Sequence, residues 1–221
     1  MRLIHDLDQA RAVLDDVTFV VPPVPPATSG IAWLRATVGR FAEGTVHERR
    51  RAAQIAILDT IPPETLRGHG PAHPVEILAR AMGVDAPIVE SVREAAQAYQ
   101  PGTGDESRAD AAVTRLVAVF GGVHDEATAA RIGLLVQACD ATATLIERSR
   151  DRGVAEVLRD DPPVVATKRQ ATITTTIGGI TIGQGEIVRV RLAGETAFGS
   201  GPRRCPGRVY ALALAEGKEE S

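Results

Sequence analysis

The chain has 221 residues, 44% of them hydrophobic and 24% charged, enough for one sizeable core or at most two small ones. Aromatics make up only 3%, so that core must be filled by Ala, Val, Leu and Ile. A formal net charge of -3 excludes a generally basic nucleic-acid binder, although basic residues cluster at Arg49-Arg50-Arg51 and Arg203-Arg204. The two cysteines, Cys139 and Cys205, belong to no CxxC pair, which argues against a structural zinc site. Charges break every apolar run near the N-terminus, so neither a signal peptide nor an anchor is expected there. No later segment is expected to span a bilayer, and the expected location is a reducing cytoplasm.

In chain order, residues 6–16 predict a short helix, and the prolines of 17–26 predict extended chain. Thr28 or Ser29 caps a helix through Trp33, read as a core residue, to Phe41. Glu43-Gly44 breaks it, and a second helix covers 46–58. Residues 74–100 predict one or two helices split by Gly83, followed by a flexible loop at 101–107. Helical pattern resumes at 109–119, stops at Gly121-Gly122, and runs from Asp125 to about Ser149. Thr, Ile and Val dominate 166–190, which predicts two or three strands, with Gly178-Gly179 and Gly183-Gln184-Gly185 as turns. A helix over RVYALALAEG ends the chain. The expected class is mainly α with a small β-sheet, in one domain over 1–221: helical at 28–160, β at 164–192, with a cysteine loop and last helix at 197–217. His69 and His73 flank Pro71 and read as loop residues.

The strongest chemical signal is FGSGPRRCPG, residues 198–207. A lone cysteine sits in a glycine-rich loop directly before a helix, where backbone N–H groups and the helix dipole favour a thiolate over a thiol. Glycines let the backbone approach a flat ligand, and Arg203 offers charge to an anion on it. The string resembles the haem-binding loop F-G-x-G-x-R-x-C-x-G of the cytochrome P-450 superfamily at all its fixed positions: Phe198, Gly199, Gly201, Arg203, Cys205 and Gly207. The resemblance implies haem b, with Cys205 as the axial iron ligand and Arg203 on a propionate.

Further matches follow in the family's order. Glu156 and Arg159 have the E-x-x-R spacing of a structural ion pair, followed by DPPV at 161–164 and then Arg169. His47 and Arg51, four apart on one helix, resemble the family's second pair of propionate anchors. The helix through LLVQACDATATLI resembles the distal helix, with Asp140 at the acid, Ala141 at the oxygen-activating threonine and Thr142 next. Ala141 lacks the hydroxyl of the family's proton relay, leaving Asp140 and Thr142 to serve.

The resemblance covers nearly the whole chain, yet segments between motifs are short: 98–125, 149–154 and 192–198. An open distal side is the expectation. The resemblance implies a haem-thiolate oxidoreductase, of monooxygenase or peroxygenase type, acting on a small molecule in specialised metabolism. A ferredoxin-type donor or peroxide would feed it, and a homodimer would cover apolar surface. The alternatives are a haem-dependent dehydratase, isomerase or group-transfer catalyst, or a non-enzymatic partner protein derived from the family.

Overall fold

Apolar residues at 126–148 recur around most of the helix instead of along one stripe, and such a helix must be buried. The structure, a computed structural model that describes residues 1–68, 70 and 72–216, places it at the centre. The helices, in chain order, are α1 (Leu7–Asp15), α2 (Gly30–Thr37), α3 (Gly44–Leu58), α4 (Pro74–Ala81), α5 (Val89–Gln97), α6 (Glu106–Val119), α7 (Glu126–Arg148), α8 (Val154–Asp160) and α9 (Arg208–Glu216). Asp6, Asp105 and Asp125 cap α1, α6 and α7, each accepting a backbone N–H from its helix's first turn. The helix expected at 109–119 is α6, which begins at Glu106 and packs on α5 and α2.

By length and composition α7 could cross a bilayer, contrary to the expectation that no segment could; 61% of its apolar window is instead buried inside the fold. It is a core helix. Leu135 is fully buried, and its truncation to alanine would cost roughly 2–5 kcal/mol. Helices α2 to α9 enclose the main core, from Ile31 and Leu34 to Leu214.

A second, smaller core lies under the sheet, formed by Ile4, Val13, Leu14, Phe19, Ile182, Val188 and Val190 with their neighbours. Four strands appear where two or three were expected over 166–190, and two short ones near the N-terminus join them among the described residues. They are β1 (Leu3–Ile4), β2 (Phe19–Val20), β3 (Ala166–Ala171), β4 (Thr175–Ile177), β5 (Ile180–Ile182) and β6 (Ile187–Arg191). The larger sheet has the order β1-β6-β3-β2, with β1 parallel to β6 and the other pairs antiparallel. β1 and β2 are two residues each, too short for any periodicity to betray them. Gly178 and Gly179, at φ +55° and +80°, form the two-residue turn between β4 and β5, a conformation that suits the twist of a hairpin.

His73 accepts the Val75 N–H at the start of α4, whereas His69 lies outside the described residues. The expected last helix ends at Glu216, and residue 217 also lies outside them.

Candidate functional site

The cysteine loop is shaped by two glycines in the left-handed region. Gly199 has φ +77° and Gly201 φ +61°. A Cβ on Gly201 would stand 2.8 Å from the Asp15 carboxylate and 3.1 Å from the Leu14 carbonyl, so the loop lies tight against the end of α1. The Cys205 N–H donates to the Phe198 carbonyl at 2.8 Å, closing the loop and turning the sulfur outwards. α9 starts directly afterwards, with Ala211 N–H on the Gly207 carbonyl.

Cys205 is free and exposed, yet the largest influence on its thiol is burial, which pushes its pKa up. The Gly207 N–H, Arg51 and Arg40 pull the other way. The loop therefore supplies the expected thiolate-stabilising groups, but in the ligand-free chain desolvation outweighs them. A coordinated metal would deprotonate the thiol outright.

Two arginines clasp this loop to α3 from opposite sides. Arg51, on α3, donates to the Arg204 carbonyl at 2.5 Å. Arg203, in the loop, donates to the Ala42 carbonyl at 2.6 Å and contacts the Glu43 carboxylate at 2.6 Å. His47 lies buried between them, its pKa lowered first by burial and then by Arg203 and Arg51. His47, Arg51, Arg203 and Cys205, distant in sequence, are thus neighbours in the fold.

Sequence reasoning missed Arg169 and Arg40 as members of this group. Arg169 on β3 is 6% exposed, and its Nε has no hydrogen-bond partner. Burial drops its pKa to about 10, with Arg203 and Arg40 adding repulsion. A buried guanidinium with an unused donor among other cations costs free energy unless an anion joins it. Nothing local marked it: β3 reads ATKRQA, where Lys168 and Gln170 flank Arg169 and give it the look of an exposed strand face.

This cluster passes the test for haem. A free, exposed thiol would take the iron, and the buried unpartnered donor of Arg169 amid His47, Arg51, Arg40 and Arg203 suits the propionates. Cys205 would ligate the iron; Arg169, His47 and Arg51 would face the carboxylates, with Arg203 first leaving Glu43.

The other expected residues fare differently. Glu156 and Arg159 do not pair. Glu156 bonds Arg152 at 2.9 Å and Arg159 bonds Asp160 at 2.9 Å, with all these side chains at least a third exposed. The i, i+4 partner and the adjacent acid are nearer than the i, i+3 one, so the structural ion pair is not formed. On α7 Asp140 is exposed, Ala141 half-buried and Thr142 buried. Successive helix residues turn by about 100°, so Asp140 and Thr142 cannot share one face. Asp140 instead bonds Cys139, whose thiol is pushed up to about 12, chiefly by burial.

No family model matches the chain, and no curated protein does. Solved structures do. P450BioI, crystallised in complex with a hexadec-9Z-enoic acid-ligated acyl carrier protein, is 17% identical, with a TM-score of 0.72 over 98% of this chain and 82% of that one. The chain carries a shortened cytochrome P450 fold. CalO2 gives 17% identity and 0.71 over 98% and 81%, and P450 RauA, complexed with a biosynthetic intermediate of aurachin RE, gives 16% and 0.68 over 98% and 82%.

Proposed function

We propose that the protein binds haem b through Cys205 and works as a haem-thiolate oxidoreductase, of monooxygenase or peroxygenase type, on a small molecule. The observation that carries this reading is the exposed Cys205 thiol beside an arginine cluster holding an unpartnered buried donor. The P450 structures it resembles, one of them bound to a biosynthetic intermediate, support a substrate from specialised metabolism. Electrons would come from a ferredoxin-type donor, or peroxide would replace them.

Bound haem supplies an iron whose thiolate ligand pushes electron density on to it and favours oxygen-bond cleavage. The chain's own residues do the rest. The Gly207 N–H, bonded to the Cys205 sulfur, tempers that donation. Arg169 would neutralise a carboxylate on the cofactor's edge, His47 would offer it a hydrogen bond, and Arg51 holds the loop carrying the ligand. Ala141 leaves the position that the family gives to its proton-passing threonine without a hydroxyl.

The absorption spectrum of haemin-reconstituted, reduced protein under carbon monoxide tests the reading. A strongly red-shifted Soret band is expected, and its absence from wild-type protein overturns the assignment. The second reading, non-oxidative haem catalysis, is favoured by the split of Asp140 from Thr142 around the absent hydroxyl at 141. Turnover of substrate without any oxidant would establish it.

A further inference from the structure

Glu43 stands at the N-cap of α3 but makes no cap bond to its own helix. Its carboxylate is committed elsewhere. Oε1 accepts the Val21 N–H at 2.8 Å, and Oε2 contacts Arg203 Nη2 at 2.6 Å. The Arg203 side chain is only 13% exposed, whereas that of Glu43 is 42% exposed. An acid hinged at the surface thus reaches in over a mostly buried guanidinium. Arg169 and His47 feel the same carboxylate, which draws the pKa of each upwards against their cationic neighbours.

A carboxylate on a guanidinium, amid a surplus of cations, is the arrangement a propionate would adopt there. We propose that Glu43 is a built-in competitor: it occupies Arg203 in the ligand-free protein and is displaced when a haem propionate binds. This rests on the haem reading above. Displacement does not strand the acid. The first-turn N–H groups of α3 lack a side-chain cap, and the helix dipole favours a negative charge at that end. Glu43 therefore lowers cofactor affinity while it steadies the empty cradle.

Glu43→Gln separates charge from linkage, because the amide oxygen still accepts from Val21 while the competing charge disappears. Haemin titration followed by absorbance should show Glu43→Gln binding roughly two- to fivefold tighter than wild type, the scale of a half-exposed ion pair. Haemin dimethyl ester, whose propionates are capped, should bind both proteins equally. In the ligand-free protein, Glu43→Gln and Arg203→Gln should destabilise non-additively in thermal melts. Additive melts overturn the pair itself. Equal or weaker haemin binding by Glu43→Gln, or a gain that persists with the diester, overturns the competition while the haem reading stands. If wild type and Glu43→Gln both refuse haemin despite coupled melts, the haem reading fails and takes the competitor with it.

Discussion

The cysteine side and the α7 side of this site are built to different standards. Around Cys205, two left-handed glycines, the clasp of Arg51 and Arg203, and a cluster of cations hold one sulfur in place. On α7, Asp140 is turned to solvent, Ala141 is half-buried and Thr142 lies in the core. The difference separates holding a cofactor from directing its chemistry. Ligation needs a fixed atom, and fixing it takes a whole loop; proton delivery needs two or three polar groups on one helix face, which a single substitution removes.

The comparison breaks most directly at Cys205. Cys205→Ser should abolish the thiolate-type spectrum entirely, while Cys139→Ser leaves it intact. In the ligand-free protein iodoacetamide near pH 8 should label Cys205 and spare Cys139, whose thiol is buried and pushed up to about 12. Labelling read by peptide mass spectrometry decides this, and preferential modification of Cys139 would invert the assignment of the two cysteines.

Arg169→Met has the next largest effect, with opposite signs in the two states. Removing a buried, under-bonded charge should leave the ligand-free melting temperature unchanged or higher, despite the lost bonds to Thr167 and the Lys168 carbonyl. Haemin retention should fall by about 1–3 kcal/mol, the value of a charge-assisted bond to a carboxylate. A variant that melts lower and holds haemin as well as wild type makes Arg169 a structural residue only.

How much of this was legible in the sequence divides along the same line. The cysteine loop could be read residue by residue because its chemistry is local, carried by glycines and one cysteine within ten positions. His47 and Arg51 could be read because a helix fixes their spacing. Arg169 and Arg40 escaped because their roles depend on which chain segments pack around them, and no periodicity records that. Glu156 and Arg159 show the reverse failure: the spacing was visible, but Arg152 and Asp160 compete for the same charges.

A smaller effect concerns pH. The folded-state pKa of His47 lies below the ordinary 6.5, through burial and the nearby arginines. Below about pH 6.5 the unfolded chain then holds more protons than the folded one, so folding stability falls with pH in that window and returns above it. His47→Gln lacks this contribution. The stability gap between wild type and variant, measured by urea denaturation without haemin, should therefore move in favour of the variant as pH drops from 7 to 5. A gap constant over that range would mean that the imidazole is not held off its ordinary value.

The smallest effect on binding and folding tests the other side of the comparison. Ala141→Thr places a hydroxyl on a half-buried helix position, where the β-branched residue costs roughly 0.5 kcal/mol in helix propensity. Haemin affinity should therefore stay within about twofold of wild type, since nothing on the cysteine side changes. The chemistry should respond more. A hydroxyl at 141 stands one residue from Asp140 and would supply the donor that this position lacks. Reductant-driven turnover should then become better coupled, with more product formed per NADPH consumed. Peroxide-driven turnover should hardly change, because peroxide arrives with its protons in place. If Ala141→Thr lowers turnover in both regimes, the bare helix face is an adaptation and not a loss. The haem of this protein would then serve a reaction that needs no proton relay, and the non-oxidative reading would replace the oxidative one.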